Sequence, residues 1–181
     1  MKLTRTAIPD VLILEPQVLS DARGYFFESF NQQAFNHATG LDVTFAQDNH
    51  SRSTKGVLRG LHYQIRYPQG KLVRVVRGAV FDVAVDVRKS SPTFSKWVGT
   101  KLSDANHKQH WVPSGFAHGF MVLSDEAVVL YKTTNHYAPE HERCIAWNDP
   151  GLAIDWPRDL QPLLSPRDSN APFLPFCELP D

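Results

Sequence analysis

Eight short apolar segments follow one another through the middle of the chain, at 43–49, 57–64, 71–76, 79–87, 97–102, 109–112, 116–123 and 127–133. Turn residues separate them, and no helical period interrupts them. That succession predicts a mainly β fold, an antiparallel sandwich or barrel. No repeat period and no low-complexity run divides the chain, so residues 1–181 read as a single domain. From Thr134 the strand pattern gives way to a polar stretch, and prolines then recur at 150, 157, 162, 166, 172, 175 and 180. Residues 135–181 are therefore expected to form a loop-rich segment wrapping the barrel, with one helical turn near 165–168.

Before the strands, 11–14 predicts a short strand, 21–24 a turn and 25–30 a short aromatic strand. Residues 31–39 predict a helix, capped by Asn31 and stopped by Gly40.

A chain of 181 residues can bury roughly 70% of its unfolded surface in one domain. Its 19 basic and 19 acidic residues are mixed throughout, which argues against nucleic acid or a membrane surface as partner. Any anionic ligand must be met by local arginines and lysines. Cys144 and Cys177 form no CxxC pair, and free thiols in a reducing compartment are expected. No apolar run reaches signal-peptide or membrane-span length, so the expectation is a soluble, cytoplasmic protein.

The clearest period of two lies at 81–87, with Phe81, Val83, Val85 and Val87 on one face and Asp82, Ala84 and Asp86 on the other. If the valine face packs against a second sheet, Asp82 faces the inside of its own sheet or water. By the same parity Lys71 joins Val73 and Val75, His118 joins Phe116 and Phe120, and Tyr131 joins Ala127 and Val129. Each polar group shares a face with core-type residues, as the lining of a pocket would.

The histidines lack His-x-His spacing, which argues against a bound catalytic metal. There is no Gly-x-Ser-x-Gly elbow, no dinucleotide fingerprint and no Walker sequence. No cofactor is expected. The remaining chemistry is proton transfer: His62 as base, Tyr131 as acid, an aspartate to orient the imidazole, and Lys71 or an arginine to stabilise negative charge. Against this stand a core histidine satisfied by backbone at 62 and a packed strand tyrosine at 131.

Several motifs occur in order: Asp21-x-Arg23-Gly24-x-Phe26-x-Glu28, Gln47-Asp48-Asn49-His50-Ser51, 56–64 as GVLRGLHYQ, Gln69-Gly70-Lys71-Leu72-Val73, 81–86 as FDVAVD, Pro113-x-Gly115-Phe116-Ala117-His118-Gly119-Phe120, Tyr131-Lys132 and Trp147-Asn148-Asp149-Pro150. Together they make the chain resemble the dTDP-4-dehydrorhamnose 3,5-epimerases from about residue 8 to residue 168. The resemblance implies a cupin-type jelly roll, usually a homodimer, acting on dTDP-4-dehydro-6-deoxyglucose without metal or organic cofactor. It also implies roles for His62 as base, Asp168 as its assistant, Tyr131 as proton donor from the opposite ring face, and Lys71 as stabiliser of the enolate oxygen at C4. Arg23, Glu28, Gln47, Asn49, Arg59, His118, Glu142 and Arg167 would bind nucleotide and sugar, and Phe26 is a candidate to stack on thymine. Arg167 stands where family members commonly carry lysine, after Pro166.

Two points stay open at this level. Strict alternation puts Arg59 on the face opposite His62, unless Gly60 marks a bulge or Arg59 serves a neighbouring subunit. Asp82 rivals Asp168 as the partner of His62. Epimerisation at C3 or C5 alone, ketone migration, a metal-dependent cupin enzyme and a non-catalytic sugar-binding cupin are the alternatives in function.

Overall fold

Strand pairing, more than apolar content, decides where the elements fall. The computed structural model describes residues 1–180. In chain order the elements are β1 (Lys2–Arg5), β2 (Leu12–Glu15), β3 (Leu19–Asp21), β4 (Gly24–Phe26), α1 (Gln32–Thr39), β5 (Gln47–Thr54), β6 (Leu58–Gln64), β7 (Lys71–Arg77), β8 (Ala79–Asp86), β9 (Trp97–Ser103), β10 (Gln109–Val112), β11 (Phe116–Val122), β12 (Glu126–Thr133), β13 (Glu142–Cys144) and α2 (Pro166–Ser169). A six-stranded sheet runs β1-β2-β10-β7-β12-β5 and a five-stranded sheet runs β13-β6-β11-β8-β9. Every ladder between these strands is antiparallel. The architecture is a cupin-type jelly roll.

From β5 to β13 the chain changes sheet at nearly every step. Strands adjacent in sequence therefore supply opposite walls of the barrel. This is how His62 on β6 and Lys71 on β7, close in the chain, come to face each other across its interior.

The expected helix forms with its expected ends. Asn31 Oδ1 accepts a hydrogen bond from the Ala34 amide at 3.0 Å, and Gly40 ends the helix at φ 72°. The buried ring of Phe35 meets Phe45 and Trp111 edge-on, both at 5.3 Å between centroids. That packing explains why the apolar run at 43–46 is not a strand: Val43 and Phe45 pack against the α1 cluster. The strand begins at Gln47 and is mostly polar, held by eight residue pairs with β12. Likewise the aromatic segment 25–30 is strand only as far as Phe26.

The valine face of β8 also departs from expectation. Val83, Val85 and Val87 do not meet the second sheet; they pack with Leu61, Met121 and Ile145 against Leu152, Trp156 and Leu174 of the C-terminal segment. The opposite face, with Val80, Asp82 and Ala84, turns into the barrel. Val80 joins Val73, Val75, Leu102, Phe120, Val122, Ala127 and Val129 in an apolar plug between the sheets. A cover on the outside frees the inside to hold polar groups. Both cysteines are free thiols, and among the described residues no helix is long and apolar enough to cross a membrane.

Candidate active site

A cavity of about 320 Å³ lies between the sheets, toward the end where β7 begins and β12 finishes. β5 lines it with Gln47, Asn49 and Ser51, a period-two series whose partners on β12 include Tyr131 opposite Asn49. β6 contributes Arg59 and His62, β7 Lys71, β11 His118 and Phe120, β12 Tyr131 and β13 Glu142, with Gln69 and Tyr137 from loops.

Arg59 and His62 share the cavity because β6 bulges. His62 pairs with His118 and Arg59 with Phe120, so Gly60 and Leu61 together stand opposite Gly119 alone. The extra residue reverses parity. Gly60 sits at φ 110°, and a Cβ there would lie 2.5 Å from the His118 carbonyl oxygen.

His62 Nε2 lies 2.6 Å from Asp168 Oδ1. Asp168 comes from α2, where Ser165 both accepts from the Asp168 amide at 3.1 Å and donates to its Oδ2 at 2.9 Å. Burial alone would raise the Asp168 carboxyl, but the His62 hydrogen bond and charge, with Ser165 and Cys144, outweigh it and hold the group below its ordinary value. An ionised Asp168 accepts the proton of Nε2, which leaves the lone pair on Nδ1. Nδ1 lies 4.0 Å from Glu142 Oε1, on the cavity side.

Lys71 approaches from the facing sheet and donates to the His62 carbonyl at 3.3 Å. Burial brings its pKa down to about 8, against the opposing pull of Glu142 and Asp82. At neutral pH it keeps its charge. Tyr131 belongs to the same sheet as Lys71, and burial together with the Glu142 charge raises its hydroxyl pKa, so it holds its proton.

Asp82 is not the partner of His62. Both its oxygens are engaged inside the barrel, by His110 Nδ1 at 2.6 Å and His118 Nε2 at 2.9 Å. Burial pushes this carboxyl up, but the two imidazoles prevail and bring it to about 2. The reason is cross-strand placement: Asp82 and His118 occupy neighbouring inward positions on β8 and β11.

Glu142 is a cavity residue, not the exposed loop carboxylate its neighbours in sequence suggest. It accepts from the Tyr137 hydroxyl at 2.7 Å and forms an ion pair with Arg167. Arg23, Phe26 and Glu28 line no part of this cavity. Arg23 is paired with Asp21 at 2.6 Å, Phe26 is 71% exposed, and Glu28 accepts from Asn31 at 3.1 Å. Arg23 and Phe26 are carried by the β3–β4 hairpin, a two-stranded sheet separate from the other two. Tyr137, Gln69 and Ser51 had no site role from the sequence, although the last two fall within its motifs. The first two lie in loops without period, while Ser51 could have been found from its alternation with Gln47 and Asn49.

Fold and site together define a class, a jelly-roll enzyme equipped for acid–base chemistry on a ligand held between its sheets. The family model for dTDP-4-dehydrorhamnose 3,5-epimerase matches residues 5–175. The chain is 66% identical over 168 residues to the dTDP-4-dehydrorhamnose 3,5-epimerase of Pseudomonas aeruginosa, covering 93% of each. It is 62% identical over 171 residues to that of Shigella flexneri, covering 94% of each. Among solved structures, the dTDP-6-deoxy-D-glucose-3,5-epimerase of Legionella pneumophila in complex with dTDP-4-keto-L-rhamnose superposes with a TM-score of 0.96 at 51% identity, covering 99% of this chain and 97% of that one. The chain belongs to the dTDP-4-dehydrorhamnose 3,5-epimerase family.

Proposed function

We propose that this chain converts dTDP-4-dehydro-6-deoxy-D-glucose to dTDP-4-dehydro-L-rhamnose, inverting C3 and C5 by proton transfer next to the C4 ketone in dTDP-L-rhamnose synthesis. The observation that carries the reading is the pairing of His62 with Asp168 through Nε2, which presents a basic Nδ1 to a cavity that Lys71 and Tyr131 enter from the facing sheet. His62 Nδ1 takes the hydrogen from the carbon as a proton, and the electrons of that bond move onto the C4 oxygen. The Lys71 ammonium offsets the charge of the enolate so formed. Tyr131, rising from the other wall, returns a proton to the opposite face of the carbon, and the stereocentre is inverted. Both reacting carbons flank the same ketone, so one base serves both. Carbon oxidation states are unchanged overall, and no redox cofactor is called for.

Gln47, Asn49, Arg59, His118 and Glu142, all lining the cavity, would hold sugar and diphosphate, the arginine binding phosphate oxygens through its planar donors. Tyr137, 50% exposed at the cavity edge, offers an aromatic face for the thymine. The expected homodimer also gives Arg23, Phe26 and Glu28 a role: Arg23 and Phe26, on an exposed hairpin away from their own cavity, would reach that of a second copy. A cytoplasmic location fits two free thiols.

The test is NMR of the dTDP-ketosugar in deuterated water. Label at both C3 and C5, with conversion to the L-rhamno product, is the expected result. Label at one carbon alone assigns a single-site epimerase, and binding without exchange assigns a sugar-binding protein. His62→Ala should lose exchange at both carbons by ~10²–10⁴-fold. Tyr131→Phe should retain exchange while inversion suffers.

A further inference from the structure

Behind the imidazole, on the side away from the cavity, three side chains that can bind a metal converge. One ligand atom from each of His62, Asp168 and Cys144 lies within 4.8 Å of the other two. Cys144 is opposite His62 in the β13–β6 ladder, and its sulfur is 3.5 Å from Asp168 Oδ1. The catalytic reading assigns the sulfur no task; it is a weak third donor to a carboxylate already held by His62 and Ser165. Cys144 also lines a second cavity of about 540 Å³ on the C-terminal side of the barrel, with Cys177, Glu142 and Arg167.

We propose that His62, Asp168 and Cys144 form an inhibitory site for a thiophilic divalent cation, of which Zn²⁺ is the type. Nitrogen, oxygen and sulfur ligands at ~2.0–2.3 Å suit that ion, and a tetrahedral arrangement puts its ligand atoms roughly 3.3–3.5 Å apart. The sulfur–carboxylate separation of 3.5 Å already meets this, and the His62–Asp168 contact of 2.6 Å must open by a small side-chain rotation. A water molecule would complete the four-coordinate set. A cation bound at the sulfur takes it as the thiolate.

Proton accounting explains the inhibition. The thiol proton leaves to solvent as sulfur binds. The imidazole stays neutral, but metal at Nε2 drives its one N–H proton onto Nδ1. The atom that must accept a proton from the sugar then already carries one. This consequence rests on His62 being the base; the binding itself does not.

The experiment titrates Co²⁺ and then Zn²⁺ into the full-length protein, following the cobalt spectrum and solvent-deuterium exchange in parallel. The expected result is a thiolate-to-cobalt charge-transfer band saturating at one equivalent, displaced by zinc, with exchange falling on the order of 100-fold. Cys144→Ser and Cys144→Ala should show no such band, and each should exchange in zinc at its own metal-free rate; two variants guard against a local packing fault in either. The same band in both variants, or equal zinc inhibition of wild type and variants, overturns the proposal. A cobalt–thiolate band in wild type with exchange undiminished overturns the inhibitory half. Should the metal-free protein exchange nothing at all, the epimerase reading fails, while the spectrum still reports the site.

Discussion

Lys71 holds its charge at a cost. It is 7% exposed, and among the described residues its ammonium makes one hydrogen bond, to the His62 carbonyl. Burial brings its pKa from 10.5 to about 8, a penalty of about 3 kcal/mol below that pH. The unfolded chain keeps the proton up to pH 10.5, so between about 8 and 10.5 it binds more protons than the native chain, and stability rises with pH across that window. Activity moves the other way. Once the ammonium is lost, the enolate of the proposed reaction loses the counter-charge assigned to Lys71, so exchange should decline as pH rises through about 8. Lys71→Met separates the two effects. Exchange should fall ~10²–10³-fold, and thermal melts at pH 7 should come several degrees higher, with no further gain above pH 8. A methionine variant that melts lower than wild type would show that the charge is better compensated than its surroundings indicate.

At the scale of an element, β6 is where sequence pattern and function part company. Alternation alone sends Arg59 outward, and the bulge at Gly60 and Leu61 brings it back beside His62. Gly60→Ala should cost ~1–3 kcal/mol through its positive φ and its contact with the His118 carbonyl. It should also raise KM and lower kcat together, because Arg59 and His62 lie on either side of the distortion. Steady-state kinetics beside a denaturant titration would check both; a stability loss with unchanged kinetics would remove the bulge from the account. The strands β6, β7, β8, β11 and β12 were legible in the sequence as short apolar runs set between turn residues. β13 was not, being three residues inside a charged stretch, and β5 was legible only over its first three residues, the rest being a polar strand defined by pairing with β12. The His62–Asp168 contact joins residues 106 positions apart. No local pattern could choose Asp168 over Asp82, a choice made by His110 and His118 when they occupy both oxygens of Asp82.

At the scale of the whole molecule, the C-terminal segment closes a physical loop between stability and chemistry. β8 is buried on both faces, the outer one only because Leu152, Trp156 and Leu174 lie over it. Trp156 is 6% exposed, donates to the Trp147 carbonyl at 2.8 Å and meets Phe81 edge-on at 5.8 Å. The same segment carries α2, and Leu163 is tied back to Gly56 and Leu58 by hydrogen bonds of 2.8 and 3.0 Å. Asp168 therefore reaches His62 only when the cover is seated, which predicts that barrel and segment unfold as one unit. Trp156→Ala should cost ~3–5 kcal/mol, and at ~2–4 °C per kcal/mol for a chain of this size the melt should shift down by roughly 10 °C or more. The loss should appear as one calorimetric transition, with exchange activity disappearing along the same curve. Two resolved transitions, or activity lost well before the barrel melts, would mean that the segment detaches by itself and that the dyad depends on a contact weaker than the core.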